Sequence, residues 1–423
     1  MFGNYYVYDA VSPLADVLKA QLGFSDSAIG TLQAIYSLPN VFMVLLGGFL
    51  IDRLGVKKSL VLFGVLCSAG AFLTVATPSF PVMAAGRLVF GLGAESLIVA
   101  VTTALARWFK GKELSFAFGV NLTIARLGSF LALNSPSWAK EAYATWRAPL
   151  LIAATIGLLC TACAVVYWAM ENRATRAYSM GAAGATDKVV WADLLRFGRS
   201  YWLVVALCVT FYSGIFPFQT FAVKMFMDVH GTTRAAGGFL SSLLTLAAMV
   251  FTPLFGLLVD KVGKRATLMT VGSLLLIPVY QLVLRWHSAA TVTTPDLTPF
   301  LEPAVLPVSL LLPIALMGTA FSLIPAVMWP SVAYLIPEEK LGTAYGLMTM
   351  VQNIGLAGFN WMIGAANDVS GASAANAGGY ALGMWIFSSL GFFGFFFAFL
   401  LRRRERSGDA HGLETITTSH PKG

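Results

Sequence analysis

Long apolar runs alternate with short polar clusters along the whole chain. The runs fall at 1–21, 28–51, 59–77, 81–108, 113–134 and 146–168, then at 201–224, 236–259, 266–285, 305–336, 341–364 and 380–401. Each approaches the ~20 apolar residues that an α-helix needs to cross a bilayer. The pattern predicts an all-α membrane protein with twelve transmembrane helices in two six-helix halves, 1–168 and 201–401. The polar stretch 169–200, with its Gly- and Ala-rich segment from Gly181 to Ala185, reads as a cytoplasmic linker. Residues 402–423, charged and then rich in Ser and Thr, read as a disordered cytoplasmic tail. Asp9 and Asp16 interrupt the first run, which starts at Met1 already in aromatic sequence. Helix one is therefore expected to be truncated at its N-terminus.

Composition narrows the class. Of 423 residues, 57% are hydrophobic and 11% charged, and the mean hydropathy is +0.74. Soluble domains carry roughly 25% charged residues, so a soluble enzyme, a nucleic-acid binder and a disordered scaffold are excluded. The net charge of +8 does not point to nucleic acid, because the basic residues sit in short clusters between apolar runs. Most of them fall on one side, which places both termini in the cytoplasm. Cys67, Cys160, Cys163 and Cys208 all lie in apolar runs and read as packing residues. No histidine lies in such a run, so a histidine metal site or proton relay is not expected. No catalytic motif appears either; the reading is no enzyme and no cofactor.

The chain repeats itself. Gly48-Phe-Leu-Ile-Asp52-Arg53-Leu-Gly55-Val-Lys57-Lys58 recurs 208 residues later as Gly256-Leu-Leu-Val-Asp260-Lys-Val-Gly263-Lys264-Arg265. At an offset of 227, Lys112 to Gly119 matches Glu339 to Gly346, and Ala125-Arg126-Leu-Gly128 matches Gln352-Asn353-Ile-Gly355. Parallel halves with a site at their interface are a transporter architecture. Gly48 is expected to let two helices approach closely. Asp52, with Arg53, Arg87 and Asp260, is assigned to gating and not to substrate.

The G-x-x-x-D-R-x-G-x-K-K loop, its weaker second copy and Arg87-Leu-Val-Phe-Gly91-Leu-Gly93 resemble the major facilitator superfamily over essentially the whole chain. Gly93-Ala-Glu95-Ser-Leu, Phe216-Pro217-Phe218, Trp329-Pro330 and Leu341-Gly-Thr-Ala-Tyr-Gly346 are similar to the branch that includes the lysosomal dipeptide transporter. That resemblance implies the major facilitator fold and a carrier of short peptides, with uniport as one expected mode.

Ionisable residues inside a bilayer normally face a cavity or a partner. Glu95 lies 12 residues before Arg107, and Arg126 lies 13 after Glu113. At 1.5 Å per residue both sit about 18–20 Å from the cytoplasmic face, near the midplane. They suggest a clamp for a zwitterion, with Arg126 for a carboxylate and Glu95 for an amine; a purely structural Glu–Arg pair is the alternative. Tyr5 and Asp9 share a helical face. Tyr36 and Asn40, Phe216 and Gln219, Trp329 and Asn353 supply further candidate contacts. Arg87 either snorkels or anchors its motif to a neighbouring helix, and Lys224 is expected to snorkel. At offset 227 Glu95 maps to Ser322 and Arg126 to Asn353, so charge recognition is confined to the first half.

The expected function is alternating-access transport of small zwitterions, most readily di- or short peptides. The alternative is proton-coupled symport of an organic anion, with Arg126 holding the anion and Glu95 or Asp9 the proton. The expected partners are the substrate and the lipid bilayer, with no nucleic acid. A monomer in a prokaryotic plasma membrane is expected; the sequence assigns no accessory subunit.

Overall fold

The computed structural model describes residues 1–109, 113–177, 197–298, 301–337, 340–407 and 410–417. The side chains of residues 44, 45, 114, 115 and 175–177 and of Asp52 lie outside this description. Fourteen helices appear among the described residues. The first eight are α1 (Phe2–Asp9), α2 (Ala15–Leu22), α3 (Asp26–Leu54), α4 (Val56–Ala76), α5 (Phe80–Phe109), α6 (Leu114–Leu133), the short α7 (Ser135–Trp138) and α8 (Arg147–Ala177). The other six are α9 (Arg199–His230), α10 (Arg234–Val262), α11 (Arg265–Arg285), α12 (Val308–Leu335), α13 (Leu341–Val369) and α14 (Ala381–Glu405).

Nine of these are long and apolar enough to cross a membrane. Two more, α3 and α13, are each 29 residues long. The twelfth crossing is broken. Its first arm, α1, stops at Asp9, a 3₁₀ turn spans Ser12–Leu14 around Pro13, and α2 resumes at Ala15. Proline lacks the N–H that an α-helix needs and clashes with the preceding turn.

The sequence repeat reappears in the helix ends. Ser25 caps α3 by accepting from the Ala28 N–H at 3.1 Å, and Thr233, 208 residues on, caps α10 by accepting from Ala236 at 3.2 Å. Both helices end at a glycine with positive φ, Gly55 at 80° and Gly263 at 68°. A side chain is strained in that region. Each loop can therefore turn sharply into the next helix.

Within the first half α4 packs on α5 and α8, α3 on α5, and α1 on α6 and α8; within the second, α11 packs on α14 and α12, α10 on α12, and α9 on α13 and α14. The halves meet through α3 with α13 and α6 with α10. These contacts run backbone to backbone. A Cβ added to Gly30 would lie 2.2 Å from the Asn360 carbonyl oxygen, one on Gly364 2.3 Å from that of Asp26, and one on Gly238 2.2 Å from that of Leu133. All three lie at helix ends remote from Gly55, Gly263 and Arg402; this side is called distal below, and the other, where α14 ends, terminal.

Several expectations need correction. α8 continues through 169–177 and α9 starts at Arg199, so the helices invade both ends of the expected linker; 178–196 lie outside the described residues. The run at 305–336 begins as a strand, Val305–Pro307, paired antiparallel with Thr291–Thr293. The expected disorder does not hold for the described part of the tail, 402–407 and 410–417; 408–409 and 418–423 lie outside the described residues. α14 extends to Glu405, and residues 410–417 fold back on the start of α11. Glu414 accepts from the N–H and hydroxyl of Thr267, both at 2.7 Å, and the Ile416 carbonyl accepts from Arg265 at 2.6 Å. Leu413 is fully buried. The Thr267 N–H bond, together with those from the Lys264 and Arg265 N–H groups to the Glu414 and Leu413 carbonyls, satisfies donors that the start of any helix leaves open, while Arg265 reaches Ile416 through its guanidinium.

Candidate functional site

The break after Asp9 leaves Tyr5, Tyr8 and Asp9 of α1 facing a central cavity of about 260 Å³ between the halves. Tyr6 and Val7, on the other faces of α1, are buried, and the buried Asn4 also borders the cavity. Asn4 Nδ2 donates to the Ala94 carbonyl at 3.2 Å and fixes α1 against α5. From the first half Tyr36, Glu95, Arg126 and Ser129 join the lining; from the second come Tyr212, Phe216, Gln219, Trp329, Gln352 and Asn353.

The charged groups share this space without pairing. Glu95 faces the Tyr36 hydroxyl, Asp9 faces Ser129, and Tyr5 sits among Arg126, Glu95 and Asp9. No ion pair joins Glu95 to Arg126 among the described residues. The Arg126 guanidinium instead lies 5.1 Å from the centre of the Phe321 ring, across the interface. A cation over a ring face gains about 0.5–2 kcal/mol, depending on how dry the site is. Such a contact holds the guanidinium in place and leaves its N–H groups to an anion.

The remaining walls are aromatic and braced. Trp329 Nε1 donates to the Tyr212 hydroxyl at 2.9 Å, and Tyr345 donates to the Trp329 carbonyl at 3.1 Å. The Tyr212 and Phe216 rings stack at 5.7 Å. Phe216 also meets Tyr8 edge to face at 6.3 Å, across the halves.

Nine of the ten expected substrate residues line this one cavity. The exception is Asn40. It is fully buried and donates to the Tyr36 carbonyl at 3.2 Å, so it turns back on its own helix and not toward the cavity. Asn4, Tyr8, Ser129 and Gln352 were missed. Tyr8 and Ser129 sit one turn from Tyr5 and Arg126, and that spacing was the available signal.

The gating residues divide. Asp52 lies at the end of α3 with its side chain outside the described ones, and Arg53 is exposed. A Cβ on Gly48 would meet nothing within 4 Å, and the same holds for its repeat partner Gly256. The close approach belongs to Gly47, where a Cβ would lie 2.7 Å from Ser96 Oγ. Asp260 accepts from Arg265 at 3.2 Å. Arg87 does not snorkel. Only 1% exposed, it donates to the carbonyls of Val7 at 3.2 Å and Leu32 at 3.4 Å and to Gln33 Oε1. It thereby ties α1 and α3 to α5 beside the cavity, because burial is affordable for a guanidinium whose donors are met.

Lys224 does not snorkel either. It is 4% exposed and holds Asp26 at 3.1 Å, Asp228 at 3.3 Å and the Tyr380 hydroxyl at 2.6 Å. Asp26 belongs to the first half, so Lys224 bridges the halves. Asp368 adds a second bridge: its carboxylate accepts from the Asp26 and Ser27 N–H groups at 2.8 and 2.7 Å and caps α3 from the other half. Arg234 pairs with Asp16, and Ser12 donates to the Gln219 carbonyl. These cross-half bonds gather on the distal side of the cavity.

A larger cleft of about 740 Å³ among α5, α6 and α8 is lined mostly by apolar side chains. It lacks the opposed charges of the central cavity.

A family model described as Major Facilitator Superfamily matches residues 1–360 and 218–419. The chain belongs to that superfamily. It is a transporter and not an enzyme, integral to a membrane that it crosses many times. Among curated proteins it is 32% identical over 386 residues to the lysosomal dipeptide transporter MFSD1 of Danio rerio, covering 88% of this chain and 79% of that protein. The Homo sapiens protein of the same name is 30% identical over 385 residues, covering 88% and 78%. Among solved structures, a mutant of the nucleoside transporter NupG superposes with a TM-score of 0.72 at 13% identity, covering 95% of this chain and 96% of that one. A mutant of the peptide transporter POT gives 0.71 at 14% identity, covering 99% and 94%. At these identities the two structures speak to the fold alone.

Proposed function

We propose that this superfamily member carries dipeptides by uniport, alternating its central cavity between the two sides of the membrane. One observation carries the reading: Glu95 and Arg126 line the same cavity, on consecutive spanning helices, without neutralising each other. A dipeptide presents an ammonium and a carboxylate a few ångströms apart, and a cavity holding a fixed carboxylate and a fixed guanidinium complements both. Aromatic walls from the second half receive side chains with little selectivity, since Tyr, Trp and Phe offer large apolar faces. The named relatives are dipeptide transporters, which supports the same substrate class.

The basic clusters at the ends of α3 and α14 put the terminal face in the cytoplasm by the positive-inside bias. In this reading the described state has its distal, non-cytoplasmic side shut by the bonds around Lys224 and Asp368. Asp52 and Asp260 then belong to the opposite, cytoplasmic gate.

The test uses modified substrates in a binding assay on purified protein. A C-terminally amidated dipeptide should bind wild type poorly and lose little more on Arg126→Gln, because both changes remove one contact. An N-acetylated dipeptide should behave the same way with Glu95→Gln, and crossed combinations should be additive. Wild-type dipeptide affinity in folded Arg126→Gln and Glu95→Gln would sink the clamp. Counterflow at clamped potential without a pH gradient separates uniport, which continues, from proton coupling.

A further inference from the structure

Among the described residues, the second half contributes no charged side chain to the central cavity. Its repeat counterparts of Glu95 and Arg126, at offset 227, are Ser322 and Asn353. Ser322 is fully buried and its hydroxyl donates to the Gly318 carbonyl of its own helix at 2.7 Å. Asn353 borders the cavity, with its amide donating to the Thr349 carbonyl at 3.0 Å. The residue beside Ser322 reaches further. Phe321 of α12 sets its ring centre 5.1 Å from the guanidinium carbon of Arg126 on α6, in the opposite half.

The two partners differ in freedom. Phe321 is almost fully buried, and two rings of α9 fix its plane: Phe211 stacks on it at 6.4 Å and 26°, and Phe216 meets it at 6.0 Å and 88°. Neighbours at such different angles leave the ring little room to turn. Arg126 is a long, many-rotamer side chain, only half-buried, in a cavity that it shares with Glu95 and Asp9. A guanidinium and a carboxylate attract strongly where water is scarce, so a free Arg126 would settle on one of those acids and fill the clamp by itself. The electron-rich ring face gives the cation another resting place. It meets the guanidinium without using the N–H groups, which a carboxylate then receives.

We propose that Phe321 is the positioning residue for Arg126, holding the guanidinium off Glu95 and Asp9 and presenting it to the substrate carboxylate. This rests on the clamp reading above and extends it across the interface. Carboxylate capture then draws on both halves, the cation from α6 and the ring from α12, although only the first half is charged. Fixing Arg126 before the substrate arrives removes the ordering of one long side chain from the binding step. That sets the size of the effect at about two- to tenfold in affinity.

Calorimetric titration of the purified full chain tests this, with alanyl-alanine and its C-terminal amide as probes. Phenylalanine analogues carrying one, two or three ring fluorines are incorporated at Phe321. Fluorine drains charge from the ring face at nearly constant shape, so a role in packing alone would not respond. Affinity for alanyl-alanine should fall stepwise along the series, and Phe321→Leu should show the full two- to tenfold loss. The amide offers Arg126 no carboxylate and should keep its weaker affinity throughout. In Arg126→Gln, fluorination should have no further effect. A flat series for alanyl-alanine, with Arg126→Gln still weakening it, would overturn the role of Phe321 and leave the clamp standing. Equal losses for the two probes would also overturn it, since the ring would then serve packing. Wild-type affinity in Arg126→Gln and along the whole series would overturn the clamp and this role together.

Discussion

Asp368→Asn should push the protein out of the state described above. The Asp368 carboxylate is half-buried and accepts two backbone N–H groups at the start of α3, at 2.8 and 2.7 Å. Asparagine keeps one acceptor oxygen, so the substitution removes one bond and the negative charge facing a helix N-terminus. A hydrogen bond to a charged group contributes about 1.5–3 kcal/mol, and a charge at a helix end about 0.3–1 kcal/mol. Water reaches Asp368, so the lower end applies, about 1.5–2 kcal/mol in total. The bond spans the two halves and exists only while their distal ends touch. Its loss therefore falls on the distally closed state alone and should raise the distally open population about tenfold. Spin labels at Thr77 and Ala289, exposed at the distal ends of α4 and α11 in opposite halves, would report this by pulsed dipolar spectroscopy. The long-distance population should grow while the melting temperature stays within a few degrees. An unchanged distance distribution in folded Asp368→Asn would refute the idea that this cap holds the halves together.

Two further outcomes follow from buried donors. Arg87→Met removes the charge but strands the carbonyls of Val7 and Leu32 and the amide of Gln33; a loss of roughly 2–4 kcal/mol should appear as a lower melting temperature, and retention of wild-type stability would mean that Arg87 is not a structural tie. Glu414→Gln keeps the tail's length but weakens its cap on α11 by about 1 kcal/mol; hydrogen exchange at the Thr267 amide should quicken, and no change there would show that the tail does not cap α11 in the native protein.

The apolar runs, each near the length of a bilayer crossing, were enough to establish the membrane class and the approximate spans, and the recurring Gly-x-x-x-Asp loop showed the half-chain repeat. They also placed Glu95 and Arg126 at matching depths, because helical rise converts residue number directly into height. Height is a local property. Direction around the axis is not, and here the sequence said less, since helices buried on most sides lack a single apolar stripe. Tyr36 and Asn40, one turn apart, looked equivalent, yet only Tyr36 reaches the cavity while Asn40 bonds back to its own helix. Gly47 and Gly48 are neighbours in sequence, and packing chose Gly47 for the close contact with Ser96. The basic residues were hardest to read. Lys224 near a helix end is compatible with snorkelling until Asp26, 198 residues away, arrives from the other half. The tail shows the same limit: its polar composition suggests disorder, but the open N–H groups at the start of α11 give it a partner that exists only once the second half has folded. Which polar groups satisfy one another is thus decided by where distant helices come to rest, and in a bilayer, with little water to substitute, that decision fixes which side chains are left to face the cavity.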